Sequence, residues 1–546
     1  MNKPRKGMAL LVVMVIVTLV ALAAYGFNQQ MTDSYRTSRL QMERAQARLT
    51  VMSAIEALQV SLEQPRGTRL NWHRDQPQSF VAVPLQQDAG TTEDSEPQWM
   101  FSVLSPSDAS VADMQTEAAQ NWRFGLTNES AKINLMVLDQ WELAFPGQAR
   151  KALMNLPAMD LAMAQALMKA YGITETQTAG AVSLSDRLGS FASDSGAASD
   201  VAAPGGASDA AGWTRKWAMG WTGGDWDHNY RLDSLEQGLM GEQSSLQDGI
   251  AIDALTDSAP LAWRDYLTFD SGQKNESLAG RPRVFLNATD LQRLHQDLLA
   301  IWPADWANFV IAVRQFGIPA QRSSRGGSRQ VSAAEWTPDF SIPASTRIES
   351  PLELVNATVA ISTANEEPFS VRSPFSADFG DPSNYIRGLV DDVTVHPSGV
   401  IVGQVDVMEA PRPVLLGIPT MTAEIVDQII ERRSTQIGSI STTGTNASRN
   451  TIAWLLVENV VDLPTFIKLQ PWITVGGDCY HAQIVAFRDP FTPTFRCTAT
   501  LDGSAPQATV RNFRQWDAWG KGFAIDELRG EASPSQPLDH AGSHLP

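Results

Sequence analysis

The residues best suited to chemistry lie in one twelve-residue run, Asp225-Trp226-Asp227-His228-Asn229-Tyr230-Arg231-Leu232-Asp233-Ser234-Leu235-Glu236. Asp225, Asp227, Asn229, Asp233 and Glu236 fall at the positions from which a calcium loop draws its side-chain oxygens, and the Arg231 carbonyl falls where such a loop uses backbone. Hard Ca2+ takes this kind of oxygen-rich array. Tyr230 departs from the pattern, because that position normally carries a glycine able to enter a sharp turn. The plainer reading is an acidic turn between helices. Elsewhere the seven histidines, His73, His228, His295, His396, His481, His540 and His544, are scattered, and no zinc-protease, nucleophile-elbow, phosphate-loop or dinucleotide pattern accompanies them. The sequence therefore points away from an enzyme. Cys479 and Cys497 are the only cysteines and have neither CxxC nor metal-ligand spacing. If Asp489 to Pro493 form a hairpin loop, Cys479 falls opposite about residue 503, so the two thiols do not meet.

The chain that positions these residues has 546 of them, too many for a single ordinary core, so two or three domains are expected. With 43% hydrophobic and 19% charged residues, most of it is able to fold. The formal net charge of -18 argues against nucleic acid as a partner, since phosphate binding rests on a basic footprint.

Lys3, Arg5 and Lys6 precede an apolar run from Met8 to Ala24 broken only by Thr18. The run is near the lower end of the roughly 17 to 25 residues that cross a bilayer, and the basic residues before it mark the cytoplasmic side. Three readings fit: a secretory signal cut near Ala21-Leu22-Ala23, an uncleaved anchor, or a short basic leader cut between Gly7 and Met8. The last is favoured, because the glycine abuts the run and leaves it attached. Beyond Phe27 no Gly or Pro interrupts a long stretch in which Met42, Ala45, Leu49, Met52, Ile55 and Leu58 recur every three to four residues. One helix from Met8 to Leu58 spans on the order of 75 Å, with its first half in lipid and its striped second half on a soluble domain.

This beginning resembles type IV pilins and pseudopilins, and the leader KGMALLVV is similar to that of minor pseudopilin K of type II secretion systems. Counted from Met8, the fifth residue is Val12, where most of the class carries a Glu that neutralises a neighbour's amino terminus. The K family likewise has an apolar residue there. The resemblance implies a non-catalytic subunit at the tip of a periplasmic pseudopilus that helps to start its assembly. It also implies an inner-membrane location with the bulk of the chain periplasmic, and processing by a prepilin peptidase. Its partners are then the other minor pseudopilins and the inner-membrane assembly platform. Members of that family bind calcium, which adds weight to a site of some kind without aligning its ligands. The alternative is a type IV pilus minor pilin or competence-type DNA receptor; a membrane-tethered hydrolase is a third class.

The expected fold is α+β: a long membrane helix and a pilin-like antiparallel sheet, interrupted by a large inserted α-helical domain. Residues 1–7 form the leader, 8–60 the helix, 61–130 the first part of the pilin-like domain, 131–435 the insertion, 436–530 the helices and strands that complete the pilin-like domain, and 531–546 a disordered tail. Strand-like alternation begins at Ser79, Gln98 and Asn121. Within the insertion, 131–173 and 402–433 share a plan. The lead-ins are Ile133-Asn134-Leu135 and Val405-Asp406-Val407, and the turns are Leu156-Pro157-Ala158-Met159 and Ile418-Pro419-Thr420-Met421. They resemble the helix-hairpin-helix units of the K family, without the turn glycine that lets a DNA-binding hairpin approach phosphate; packing units are expected. Residues 174–212 read as a flexible insertion and 321–345 as a loop. A helical block from Asn287 to Phe316 is capped by Asn287 or Thr289 and broken at Trp302-Pro303. Late strands are expected at Tyr480 to Phe487 and Thr494 to Leu501.

Overall fold

A computed structural model describes residues 6–69, 72–85, 98–107, 122–173, 221, 225–231, 262–319, 329–362, 368–376, 385–437 and 449–531. Helix α1 runs without a break from Lys6 to Glu63. It contains no proline, and it stops just before Pro65, whose ring disfavours helical geometry in the residue ahead of it. From Leu10 to Met42 every side chain is exposed; from Glu43 onward one face is buried. Ala47, Val51, Ala54, Ile55, Leu58 and Leu62 form that face, a stripe at helical spacing laid on a sheet. Among the described residues α1 is the one helix long and apolar enough to cross a membrane, with a mean hydropathy of 2.7 in its most apolar window; an N-terminal signal sequence has the same composition.

The sheet has seven strands: β1 (Val83–Pro84), β2 (Met100–Pro106), β3 (Trp122–Phe124), β4 (Thr127–Asn128), β5 (Cys479–Phe487), β6 (Phe495–Asp502) and β7 (Thr509–Gln515). Its path is β1-β2-β5-β6-β7, with β3 on β2 and β4 on β5, all antiparallel. Alternation along β5 serves both faces: Ala482, Ile484 and Ala486 meet α1, while Val485 and Phe487 join Leu104, Trp122, Phe523, Ile525 and Leu528 behind. Early and late segments of the chain thus complete one sheet. Cys479 pairs with Asp502 and Cys497 with Ile484, one residue from the expected register, and both thiols are free and buried.

A second, larger core extends from Ile133 to Val475. It includes α2 (Leu138–Ala144), α3 (Gln148–Met154), α4 (Leu161–Ala170), α5 (Arg412–Gly417) and α6 (Ala423–Ile437). Helices Leu291–Leu299 and Ala304–Phe316 fall where the periodicity put them, but the cap is Asp290, which accepts from Arg293 N at 3.0 Å. Asn287 instead bonds both backbone groups of Ile348. A purely helical insertion is not what forms. Arg329–Ser332 lies parallel to Phe369–Arg372, which pairs with Thr358–Ile361, so part of the expected 321–345 loop is a strand. Two-residue strands join Ile133–Asn134 to Leu267–Thr268 and Val405–Asp406 to Ile473–Thr474, both parallel. Pro464 sits in the first turn of helix Leu463–Leu469, where its missing N–H costs nothing. The 174–212 insertion and the tail beyond Glu531 lie outside the described residues.

Candidate functional site

Gly7 and Met8 lie in the first turn of α1, and Val12 stands on its surface, half exposed. Among the described residues none covers this end of the helix, which is exposed from Leu10 onward.

Of the candidate calcium residues, the fold brings Asp225, Asp227 and Asn229 together; Asp233 and Glu236 lie outside the described residues. The turn is closed by its own acceptors. Asp225 accepts from Asn229 N at 3.0 Å and Tyr230 N at 3.2 Å, Asp227 accepts from Asn229 N at 3.0 Å, and Asn229 Oδ1 accepts from Arg231 N at 2.7 Å. His228 and Tyr230 carry φ of 58° and 63°, so Tyr230 does enter the left-handed region that a glycine would occupy more cheaply.

The turn seats on the back of the sheet through residues that local spacing does not reveal. Arg264 Nη2 lies 2.7 Å from Asp225 Oδ2, and Arg496 Nη2, wholly buried on β6, lies 3.6 Å from Asp227. Gln483 on β5 donates to the His228 carbonyl at 2.6 Å, the His228 ring stacks on Trp516 at 4.1 Å, and Arg231 pairs with Glu527 at 2.5 Å. Burial alone lowers the pKa of Arg264, but Asp265 and Asp225 outweigh it and keep the guanidinium charged. Burial first, then Arg264, pushes His228 far below its ordinary value, so it is neutral here. With two guanidinium groups compensating its carboxylates, the described part of the loop clamps chain segments together. Among the described residues no group of three or more His, Cys, Asp or Glu is placed to hold a metal ion.

The two hairpin-like segments share local geometry. Asn134 Oδ1 accepts from Met136 N at 2.8 Å, and Asp406 Oδ1 accepts from Met408 N at 2.9 Å. The turn residues Ala158 and Thr420 have φ of 55° and 64°. The segments also touch: Gln148 on α3 donates to the Gly417 carbonyl at 2.7 Å, and a side chain at Gly417 would press within 3.2 Å of both Ala152 and Ile133. Each uses the other as packing surface.

A buried polar cluster joins the sheet half to the second core. His73 Nε2 lies 2.6 Å from Glu409 Oε1, and Asn128 Nδ2 donates to Asp406 Oδ2 at 2.8 Å. Burial opposes ionisation of Glu409, yet the His73 contact holds its pKa below the ordinary range. No sequence motif announces this pair, whose members are far apart in the chain. Comparison with known proteins matched no family model, no curated protein and no solved structure.

Proposed function

We propose that this chain is a non-catalytic, membrane-anchored minor pseudopilin of a type II secretion system, placed at the tip of the pseudopilus and active in starting its assembly. The observation that carries the reading is α1. A short basic leader ends at Gly7, an apolar run begins at Met8, and the same helix continues unbroken into the face that packs on an antiparallel sheet. Val12 supports the tip position, because a subunit without a carboxylate at that depth has no group to pair with the amine of one ahead of it, and an unpaired charge in lipid is costly. In this reading the chain is cleaved by a prepilin peptidase, stays in the inner membrane and works with the other minor pseudopilins on the assembly platform.

Amino-terminal sequencing of the membrane-extracted protein tests it. Cleavage between Gly7 and Met8, abolished by Gly7→Arg, is the expected result. A mature chain starting near Ala24, or one that retains Met1, removes the reading. Val12→Glu in cells is expected to impair function, since the new carboxylate meets no amine.

A further inference from the structure

The turn between β5 and β6 carries Phe491, which is 95% exposed. Single apolar side chains on a surface are ordinary, but this one is held out by a built turn. Asp489 Oδ1 accepts from Phe491 N at 2.9 Å and Thr492 N at 3.0 Å, and Lys521 Nζ donates to the Pro490 carbonyl at 2.6 Å. Two further aromatics flank the region: Trp99, over which the Arg488 guanidinium lies at 5.4 Å, and Trp519, 55% exposed and two residues before Lys521.

The direction of this turn is fixed by the packing of α1. The far ends of β5 and β6 meet the last residues of the helix, where Glu63 accepts from Ala508 N and Gly503 approaches Leu62. At the turn end Arg488 lies 3.5 Å from Glu43, and Trp99 donates to Gln46. The turn therefore points along α1 toward the apolar run. Between Phe27 and Glu43, about 24 Å of helix, no described residue packs on it, and Phe27, Met31, Tyr35, Leu40 and Met42 are exposed. Lipid does not fill this space: headgroups reach only about 8 Å beyond the hydrocarbon, and even a tilt of about 40° leaves some 18 Å of height.

The charges bear on what does. Glu43 is taken by Arg39 at 3.1 Å and by Arg488, and Asp489 by Arg488 at 2.9 Å and by the turn amides. Lys521 and Arg529 donate to the backbone of Pro490 and Arg488 and place two cations against the turn itself, while the exposed carboxylates of this segment, Asp517, Asp526 and Glu531, stand to its side.

We infer that Phe491, flanked by Trp99 and Trp519, is the anchor by which this domain seats on the head of a second, membrane-anchored subunit standing beneath it, whose docking face is an apolar socket rimmed by carboxylates. A rigid, exposed aromatic at the centre of a charged rim is the arrangement that concentrates binding energy, because little freedom is lost on docking. The inference rests on the proposed function for the nature of the partner.

The test uses the full-length chain in its native membrane with its co-produced subunits. Phe491→p-benzoylphenylalanine keeps an aromatic in place and cross-links to its neighbour on illumination; mass spectrometry then identifies the adduct. The expected adduct is a peptide from the exported domain of a different single-span subunit. Phe491→Ala, with unchanged melting, lowers recovery of that subunit about tenfold, and Lys521→Glu lowers it as well. Adducts confined to phospholipid, adducts to a second copy of this chain, or none at all overturn the inference. The two readings fail separately: cleavage after Gly7 without the adduct removes the docking surface alone, whereas the adduct on a chain that retains Met1 removes the pseudopilin assignment alone.

Discussion

At the scale of single residues, the acidic loop shows carboxylates at calcium-like spacing engaged by arginines. Asp225 and Asp227 each face an arginine contributed from far along the chain, and those arginines neutralise the charge that a cation would otherwise meet. Removing one partner of a buried pair leaves an uncompensated charge, which costs about 3–5 kcal/mol. Asp225→Ala is therefore expected to lower thermal stability by that order, and equally in calcium and in chelator. A loss seen only with calcium present would mark the loop as a metal site, with Asp233 and Glu236 as its remaining ligands. The sequence displayed the carboxylates but not their partners, because an ion pair between Asp227 and Arg496 leaves no trace in local spacing. Even the position of Arg496, the second residue of a wholly buried strand, reads as a misfit until its partner is known.

At the scale of elements, the paired turns are the most exposed to test. Ala158 and Thr420 hold left-handed backbone at a cost of roughly 1–2 kcal/mol each, part of which glycine gives back as unfolded-state freedom. Ala158→Gly and Thr420→Gly are each expected to raise stability by about 0.5–1 kcal/mol in denaturant melts, and a loss at either position contradicts the turn geometry. What the sequence disclosed about elements follows from how many side chains report on them. The buried strands β2, β5 and β6 and the stripe on α1 carry apolar residues at regular spacing. Strand β7 was missed because Thr509 to Gln515 is exposed on nearly every side chain, so nothing selects its hydrophobic residues. The two-residue strands at Ile133 and Val405 are set by parallel partners more than a hundred or some seventy residues away, which no window along the chain contains. Asp290 won the cap over Asn287 because Asn287 is engaged by Ile348, a tertiary contact invisible from the helix itself.

At the scale of the whole molecule, two cores meet along buried polar groups, and several histidines are enclosed in the process. His396 and His481 are pushed down to about 4 by burial, and His228 lower still. A histidine whose folded value is depressed binds fewer protons than in the unfolded chain, so its contribution is fully present above about pH 6.5 and is lost as pH falls toward the folded value. The loss is up to about 1.4 kcal/mol per pH unit for each such group. Relative to the parent chain, His396→Gln should therefore gain stability as pH is lowered from 6.5 to 4, and a difference that does not change with pH would show that His396 is accessible to solvent in the folded protein.

The unbroken α1 has one further consequence, which is mechanical. It lacks a kink-forming proline, and the middle glycine, Gly26, has nothing packed within 4 Å of it. One continuous helix joins the apolar run to the sheet, and Gly26 is the point between them where bending costs least. Rotation or lift applied to the apolar end of the helix has this single shaft as its path to the sheet. Its phase matters as much as its length, because each residue added between Phe27 and Glu43 swings the head about 100° around the shaft for only about 1.5 Å of height.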